Sequence, residues 1–276
     1  MVSDLPYAFY NGDAVVYNNE IHLLGGSSSN SAMGFHYKYN NSEWTKVSTL
    51  PYPFLNGRAV VYKDCIHILG SSDSSYTTSH YKWDGSTWTS IGMSYSWYCG
   101  SVVVYNNEIH LLGNVASSDL FTFHYKFDGS KWQQASTIPY QFYRGSAVVL
   151  NNEIHIMGSA YNTNVWTCSK YHYKWDGSEW TSVSTLPYVF YNGGVIVLNN
   201  EIHILGGEQS KKKHYKWNSS EWLSVDILPY CYQQGAVFML DKVIHVLGGA
   251  YTVGTSNFIN AQSHATIHVD LYKKIE

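Results

Sequence analysis

Thirteen histidines in 276 residues are the first candidates for chemistry, because imidazole binds metals and titrates near neutral pH. Six of them, His22, His67, His110, His155, His203 and His245, each follow an isoleucine and run toward a glycine. Six more, His36, His80, His124, His172, His214 and His264, open a later strand-forming run, and only His268 stands apart. Ligands of one ion must converge to about 2 Å from it. The first set recurs at intervals of 45, 43, 45, 48 and 42 residues, so each member holds the same place in a different copy of one unit. Equivalent places in successive copies cannot share a metal, and each histidine is expected to hydrogen-bond a neighbouring strand or unit instead.

The carboxylates follow the same logic. Glu20, Glu108, Glu153 and Glu201 recur beside an Asn-Asn pair, and Glu43, Glu179 and Glu221 beside a second turn. Carboxylates repeated at turn tips are expected to be solvated, whereas glycoside hydrolysis needs two held at a fixed separation in one cleft. The sequence contains no Gly-x-Ser-x-Gly elbow, phosphate-binding glycine loop or His-Glu-x-x-His. Cys65, Cys99, Cys168 and Cys231 occupy four different places in the unit, with no Cys-x-x-Cys spacing. Free thiols are expected, with neither a disulfide framework nor a metal or cofactor site.

Self-similarity at this period means a repeat architecture. The units run approximately over residues 5–49, 50–92, 93–137, 138–185, 186–227 and 228–276, and each carries four short strand-forming runs. In the first unit these are Gly12 to Tyr17, Glu20 to Gly25, Phe35 to Tyr39 and Trp44 to Thr49. Asn18-Asn19 joins the first two, a dipeptide suited to a tight hairpin, and turns such as Asp84-Gly85 and Asp176-Gly177 join the last two. No unit has the 3.6-residue apolar period of a helix, so the chain reads as all-β. Sheets this small bury their faces only by stacking, and a closed ring leaves no long free edge. The expectation is a six-bladed β-propeller of four-stranded antiparallel blades, in one domain. Val2 to Pro6 matches the end of a fourth strand, so residues 1–6 are expected to complete the last blade.

Gly25-Gly26, Gly206-Gly207 and Gly248-Gly249 follow the second strands, and a Tyr precedes a Trp by seven residues in five units: Tyr37/Trp44, Tyr81/Trp88, Tyr125/Trp132, Tyr173/Trp180 and Tyr215/Trp222. This pattern resembles the kelch repeat and covers the whole chain. It departs from the pattern at Ser71, Asn114 and Ser159, which replace the second glycine, and at Ala265 and Tyr272 in the sixth unit. The resemblance implies that the first strand of each unit lines a central channel. It also implies that the connection into that strand shares a face with the loop between the second and third strands.

That connection reads Pro-Tyr-x-Phe-Tyr-x-Gly or a variant of it, and supplies Tyr10, Trp97, Tyr98, Tyr143 and Tyr191 as candidate contacts, some of which must instead pack between blades. Specificity is sought where the units differ. Before the recurring glycine stand Asn11, Asn56, Cys99, Arg144, Asn192 and Gln234, and after it Asp13, Arg58, Ser101, Ser146, Gly194 and Ala236. Both arginines of the protein fall in these columns. Arginine offers a planar fork to carboxylates and stacks on aromatic rings, so Arg58, Arg144, Asp13, Asn11, Asn56, Asn192 and Gln234 form the expected binding rim. The variable loops add Tyr76 and Trp166, rigid aromatics among small polar residues.

A net charge of −3 and a pI near 6.5 give no electrostatic case for nucleic acid or an anionic membrane. No apolar run is long enough for a transmembrane helix, and MVSDLPY lacks the regions of a signal peptide. A chain cytoplasmic as synthesised is expected. The near-identity of its repeats is similar to kelch arrays in bacterial and phage surface or tail proteins. The expected function is noncatalytic recognition of a glycan or a peptide or protein segment at the channel mouth. The alternative is a propeller enzyme acting on a sugar, resembling galactose oxidase or a sialic acid mutarotase.

Overall fold

A computed structural model describes residues 3–28, 31–40, 42–70, 78–93, 95–113, 122–162, 166–207, 212–253, 257–260 and 262–268. It is all-β, and no helix among the described residues is long and apolar enough to cross a membrane. The first blade orders its strands as Asp13–Tyr17, Glu20–Leu24, Phe35–Tyr39 and Trp44–Thr49 from the axis outward. Four further blades repeat that order. Blade six shows Ala236–Leu240, Val243–Leu247 and His264–His268, and its outer edge lies outside the described residues. The innermost strands of successive blades touch all the way around, blade six against blade one included, so the ring is closed.

Local chemistry explains the hairpins. Asn18 and Asn19 have φ of 51° and 62°, the left-handed pair of a tight turn whose twist matches the flanking strands. Asn106-Asn107, Asn151-Asn152 and Asn199-Asn200 repeat the conformation, and Lys63-Asp64 and Asp241-Lys242 adopt it with residues less suited to it. At the next turn the Asp84 carboxylate accepts the Ser86 and Thr87 backbone N–H groups at 2.9 Å each. Glu20 pairs with Lys38 across the strands at 3.0 Å, and Glu108, Glu153 and Glu201 pair likewise with Lys126, Lys174 and Lys216. These four glutamates are therefore partly buried ion-pair partners rather than simply solvated groups, whereas Glu43, Glu179 and Glu221 are exposed as expected.

Between blades, one aromatic ring per connection fills the gap. Phe9, Phe54, Trp97, Phe142, Phe190 and Tyr232 are each at most 1% exposed. A Cβ on Gly25 would collide with the Phe54 carbonyl and ring, and one on Gly248 would meet Phe9 across the closure. The glycine after the second strand is thus required by the close approach of the next blade. Another ring orients that connection: Tyr7, Tyr52, Tyr140 and Tyr188 donate their hydroxyls to the carbonyls of Gly25, Gly70, Gly158 and Gly206 at 2.6–3.1 Å.

The histidines pair within each blade. The Nδ1 of His22 lies 2.7 Å from His36 Nε2, and the same bond joins His67 to His80, His110 to His124, His155 to His172, His203 to His214 and His245 to His264. In three blades the chain of bonds continues outward. His36, His124 and His172 bond Ser48, Ser136 and Ser184, whose hydroxyls accept the indole N–H of Trp88, Trp180 and Trp222 from the next blade.

Three stretches expected as loops contain strand, the first being the short pair Ser27–Ser28 and Ser31–Ala32 of blade one. Blade four's second and third strands extend to Glu153–Asn162 and Trp166–Trp175, past a register shift between Met157 and Ser159. In blade six Ala250–Val253 pairs with Asn257–Asn260 as a separate ribbon.

Candidate functional site

The residue before each recurring glycine turns the chain into the innermost strand. All six such residues are in the left-handed region: Asn11 (φ 56°), Asn56 (58°), Cys99 (54°), Arg144 (59°), Asn192 (57°) and Gln234 (61°). Asn tolerates this conformation because its short amide bonds the local backbone, whereas Cys, Arg and Gln adopt it at a cost of about 1–2 kcal/mol. The conformation links these residues to one another. Each backbone N–H donates to the carbonyl of its counterpart one blade back: Asn11 to Gln234, Asn56 to Asn11, Cys99 to Asn56, Arg144 to Cys99, Asn192 to Arg144 and Gln234 to Asn192, at 2.6–3.3 Å. Six hydrogen bonds close a circle around the axis.

An axial cavity is lined by Asn11, Asn56, Arg58, Cys99, Arg144, Asn192 and Gln234, with Gly12, Gly193 and Gly235. Its interior is small, about 30 Å³. Both arginines and all four carboxamides expected at the rim therefore meet in one place. The N–H groups of the six turn residues are engaged in the circle, so what distinguishes one blade from another here is the side chain. Arg58 donates from Nη1 to the Gly57 carbonyl at 3.0 Å. The Arg144 guanidinium lies 5.2 Å from the Tyr143 ring centroid, a cation–π contact. Burial opposes its charge, but the Cys99 thiol and the Tyr143 and Tyr98 hydroxyls outweigh burial and hold it cationic, above the usual arginine range. Tyr98 and Tyr143 stand with ring centroids 6.2 Å apart. Burial, and then Cys99, push the Tyr143 hydroxyl up to about 12 and Tyr98 higher still.

Other expected rim residues sit elsewhere. Asp13 accepts the Ala14 and Ala59 backbone N–H groups at 2.9 and 2.8 Å, stitching blade one to blade two. Burial raises its pKa, with Arg58 and those two donors pulling the other way. Ser101 and Ser146 make the same kind of stitch, to the Ala147 N–H and the Gly193 carbonyl. Trp97 is the interblade ring of its blade, fully buried, with its indole N–H directed at the Leu112 carbonyl at 3.4 Å, and that placement removes it from the mouth. Tyr191 is buried too, and the Tyr10 hydroxyl accepts a bond from Ser27 Oγ at 3.1 Å. Tyr10 also forms a backbone bridge with Ser27, and Ser159 bonds Tyr143 N, which puts these connections beside the starts of the second-to-third loops. Trp166 opens the long third strand of blade four, and Tyr76 lies outside the described residues.

The structure adds Cys99 and the glycines to the cavity wall. The dipeptides Asn11-Gly12, Asn56-Gly57 and Asn192-Gly193 were the available signal, since Asn-Gly marks a left-handed turn.

No family model matches the sequence, and no curated protein matches it. Among solved structures 334 chains match. One, described as "Structure of YjhT", superposes with a TM-score of 0.80 over 97% of both chains at 14% identity. That similarity is one of fold: a six-bladed propeller.

Proposed function

We propose that this propeller is a noncatalytic recognition module that binds a glycan at the axial mouth, with the cavity taking one polar group of the ligand and the surrounding face the rest. The observation that carries the reading is the convergence of Arg58, Arg144, Asn11, Asn56, Asn192 and Gln234 on one cavity. Carboxamides and guanidinium groups match sugar hydroxyls, and the neighbouring Tyr98 and Tyr143 offer ring faces of the kind on which sugars stack. The nearby carboxylate, Asp13, accepts two backbone N–H groups, which suits a structural part better than that of a general base.

A glycan array probed beside a peptide library tests this. Glycan hits that the double variant Arg58→Ala/Arg144→Ala loses are expected. Hits confined to peptides would transfer the same mouth to a peptide ligand, and hits the double variant binds as tightly as the native chain would move the site away from the axis.

A further inference from the structure

We propose that the axial cavity is a carboxylate subsite, in which Arg58 and Arg144 clamp an anionic group of the ligand and the carboxamides of Asn11, Asn56, Asn192 and Gln234 fix its orientation. The inference rests on the axial mouth being the ligand site and names the chemistry it selects. Three observations carry it.

The first is placement. The chain holds two arginines, and blades two and four bring both to a single cavity whose wall, among the described residues, carries no carboxylate, although Asp13 lies close enough to Arg58 to feel its charge. Guanidinium groups present paired N–H donors at the spacing of carboxylate oxygens, so two of them on one small cavity favour a compact planar anion over a hydroxyl. The second is the backbone. A ring of six left-handed residues could have offered its N–H groups to an anion, but each already donates to the next blade. The N–H groups of the turn residues are therefore not the anion donors, and the side chains that differ between blades are what sets this axis apart.

The third is Arg144 itself. It holds φ at 59° in a column where three of the six residues are asparagine, the residue that accepts the conformation best. A scaffold selected for the ring alone would carry Asn or Gly there, so a guanidinium at that turn points to what its side chain reaches. The small size of the cavity sets the division of labour: a carboxylate enters, and the body of the ligand lies on the face outside.

Calorimetric titration of the full chain with glucuronate against glucose, and with N-acetylglutamate against N-acetylglutamine, separates charge from scaffold and an acidic sugar from an acidic peptide group. The expected result is that at least one acid binds at least about tenfold tighter than its neutral partner, and that its affinity falls as salt rises. Arg144→Asn is expected to weaken that acid by about tenfold or more while its melting temperature stays equal or rises, because Asn relieves the turn. A purely structural arginine would give the reverse, a lower melting temperature with binding unchanged. Equal binding of acid and neutral partner, retention of affinity by Arg144→Asn and by Arg58→Gln, or no binding of either acid would each overturn the inference. If neutral glycans bind the array and lose binding in the arginine double variant, the recognition reading stands without a carboxylate.

Discussion

Phe54 and Trp97 do the same job in adjacent connections, and their type alone does not reveal it. A ring kept in every unit serves a ligand face or an interblade gap equally well. What decides between them is the glycine of the preceding blade, about 28 residues earlier, against which the ring closes. For that reason the arginines and amides, singled out by their variation, meet at one cavity, while Trp97, expected at the mouth, belongs to the core. The placement of Asp13 is hidden for a related cause: its use by the Ala59 N–H depends on how neighbouring blades abut, which no single unit records. Phe54→Ala should cost about 3–5 kcal/mol, the usual loss for emptying an aromatic core site. For a chain of this size that corresponds to a melting temperature lower by roughly 10 °C, read by thermal denaturation. A fall of only a degree or two would show that the gap collapses and that the ring is not what holds the blades apart.

Paired strands carry the histidines, and at this scale the sequence was most legible. Turn dipeptides and strand-forming runs located the strands of the first blade to within a residue, because the left-handed pair at Asn18-Asn19 leaves the hairpin register little freedom. The extension of blade four escaped, since Ser159 to Trp166 is rich in Ser, Asn and Thr and reads as a loop, and its strands continue only beyond a register shift. The His–His bond was expected only as some bond to a neighbour. Burial lowers His22, His67, His110, His155 and His203 to about 4, and lowers His36, His80, His124, His172 and His214 to about 3. Unfolded histidine titrates near 6.5, so between about pH 6.5 and pH 4 the unfolded chain binds protons that the folded chain refuses. Stability is therefore complete above pH 6.5 and falls on acidification, each histidine contributing a slope of up to about 1.4 kcal/mol per pH unit. Melting temperature should drop steeply between pH 6.5 and pH 5, with proton uptake on unfolding detectable by calorimetry in buffers of different ionisation enthalpy. A flat profile would mean that the pairs share charge in the folded state. Ser184→Ala tests the outer end of the relay. It leaves His172 Nδ1 and the Trp222 indole without the hydroxyl that joins them, and should cost about 2–3 kcal/mol, whereas Ser184→Thr, which keeps the hydroxyl, should recover most of it.

Ring closure belongs to the whole molecule. A stack of units that touch only their neighbours is stable in proportion to the number of interfaces, and closing the circle adds one more interface without adding a blade. Here the closing interface is built from the same parts as the others. Phe9 fills the gap behind Gly248, the Gly249 N–H donates to the Phe9 carbonyl at 2.7 Å, and the Asn11 N–H completes the axial circle on Gln234. One further bond comes from the N-terminal segment: the Leu5 N–H donates to Gln262 at 2.9 Å, as the Leu50 N–H does to Gly34 and the Leu228 N–H to Lys212 in blades joined by continuous chain. Leu5, only 3% exposed, sits in the core shared by blades one and six with Phe9 and Leu247. The number of blades was countable from the histidine spacing, and the repeated Leu-Pro-Tyr phrase at Leu5 pointed to the closure, but its acceptor Gln262 lies in a loop that differs from unit to unit. Burial of one leucine is worth about 1.5–3 kcal/mol and the backbone bond about 1. Removing residues 1–6 should therefore lower the melting temperature by roughly 5–10 °C. Because the axial circle begins at Asn11, the loss should be felt at the cavity as well: the truncated chain should bind array ligands more weakly even at temperatures where it remains folded. Leu5→Ala separates the two contributions, since it keeps the backbone bond and removes the buried side chain. A truncated chain that melts with the native one would place the closing strength wholly in Phe9 and the axial ring.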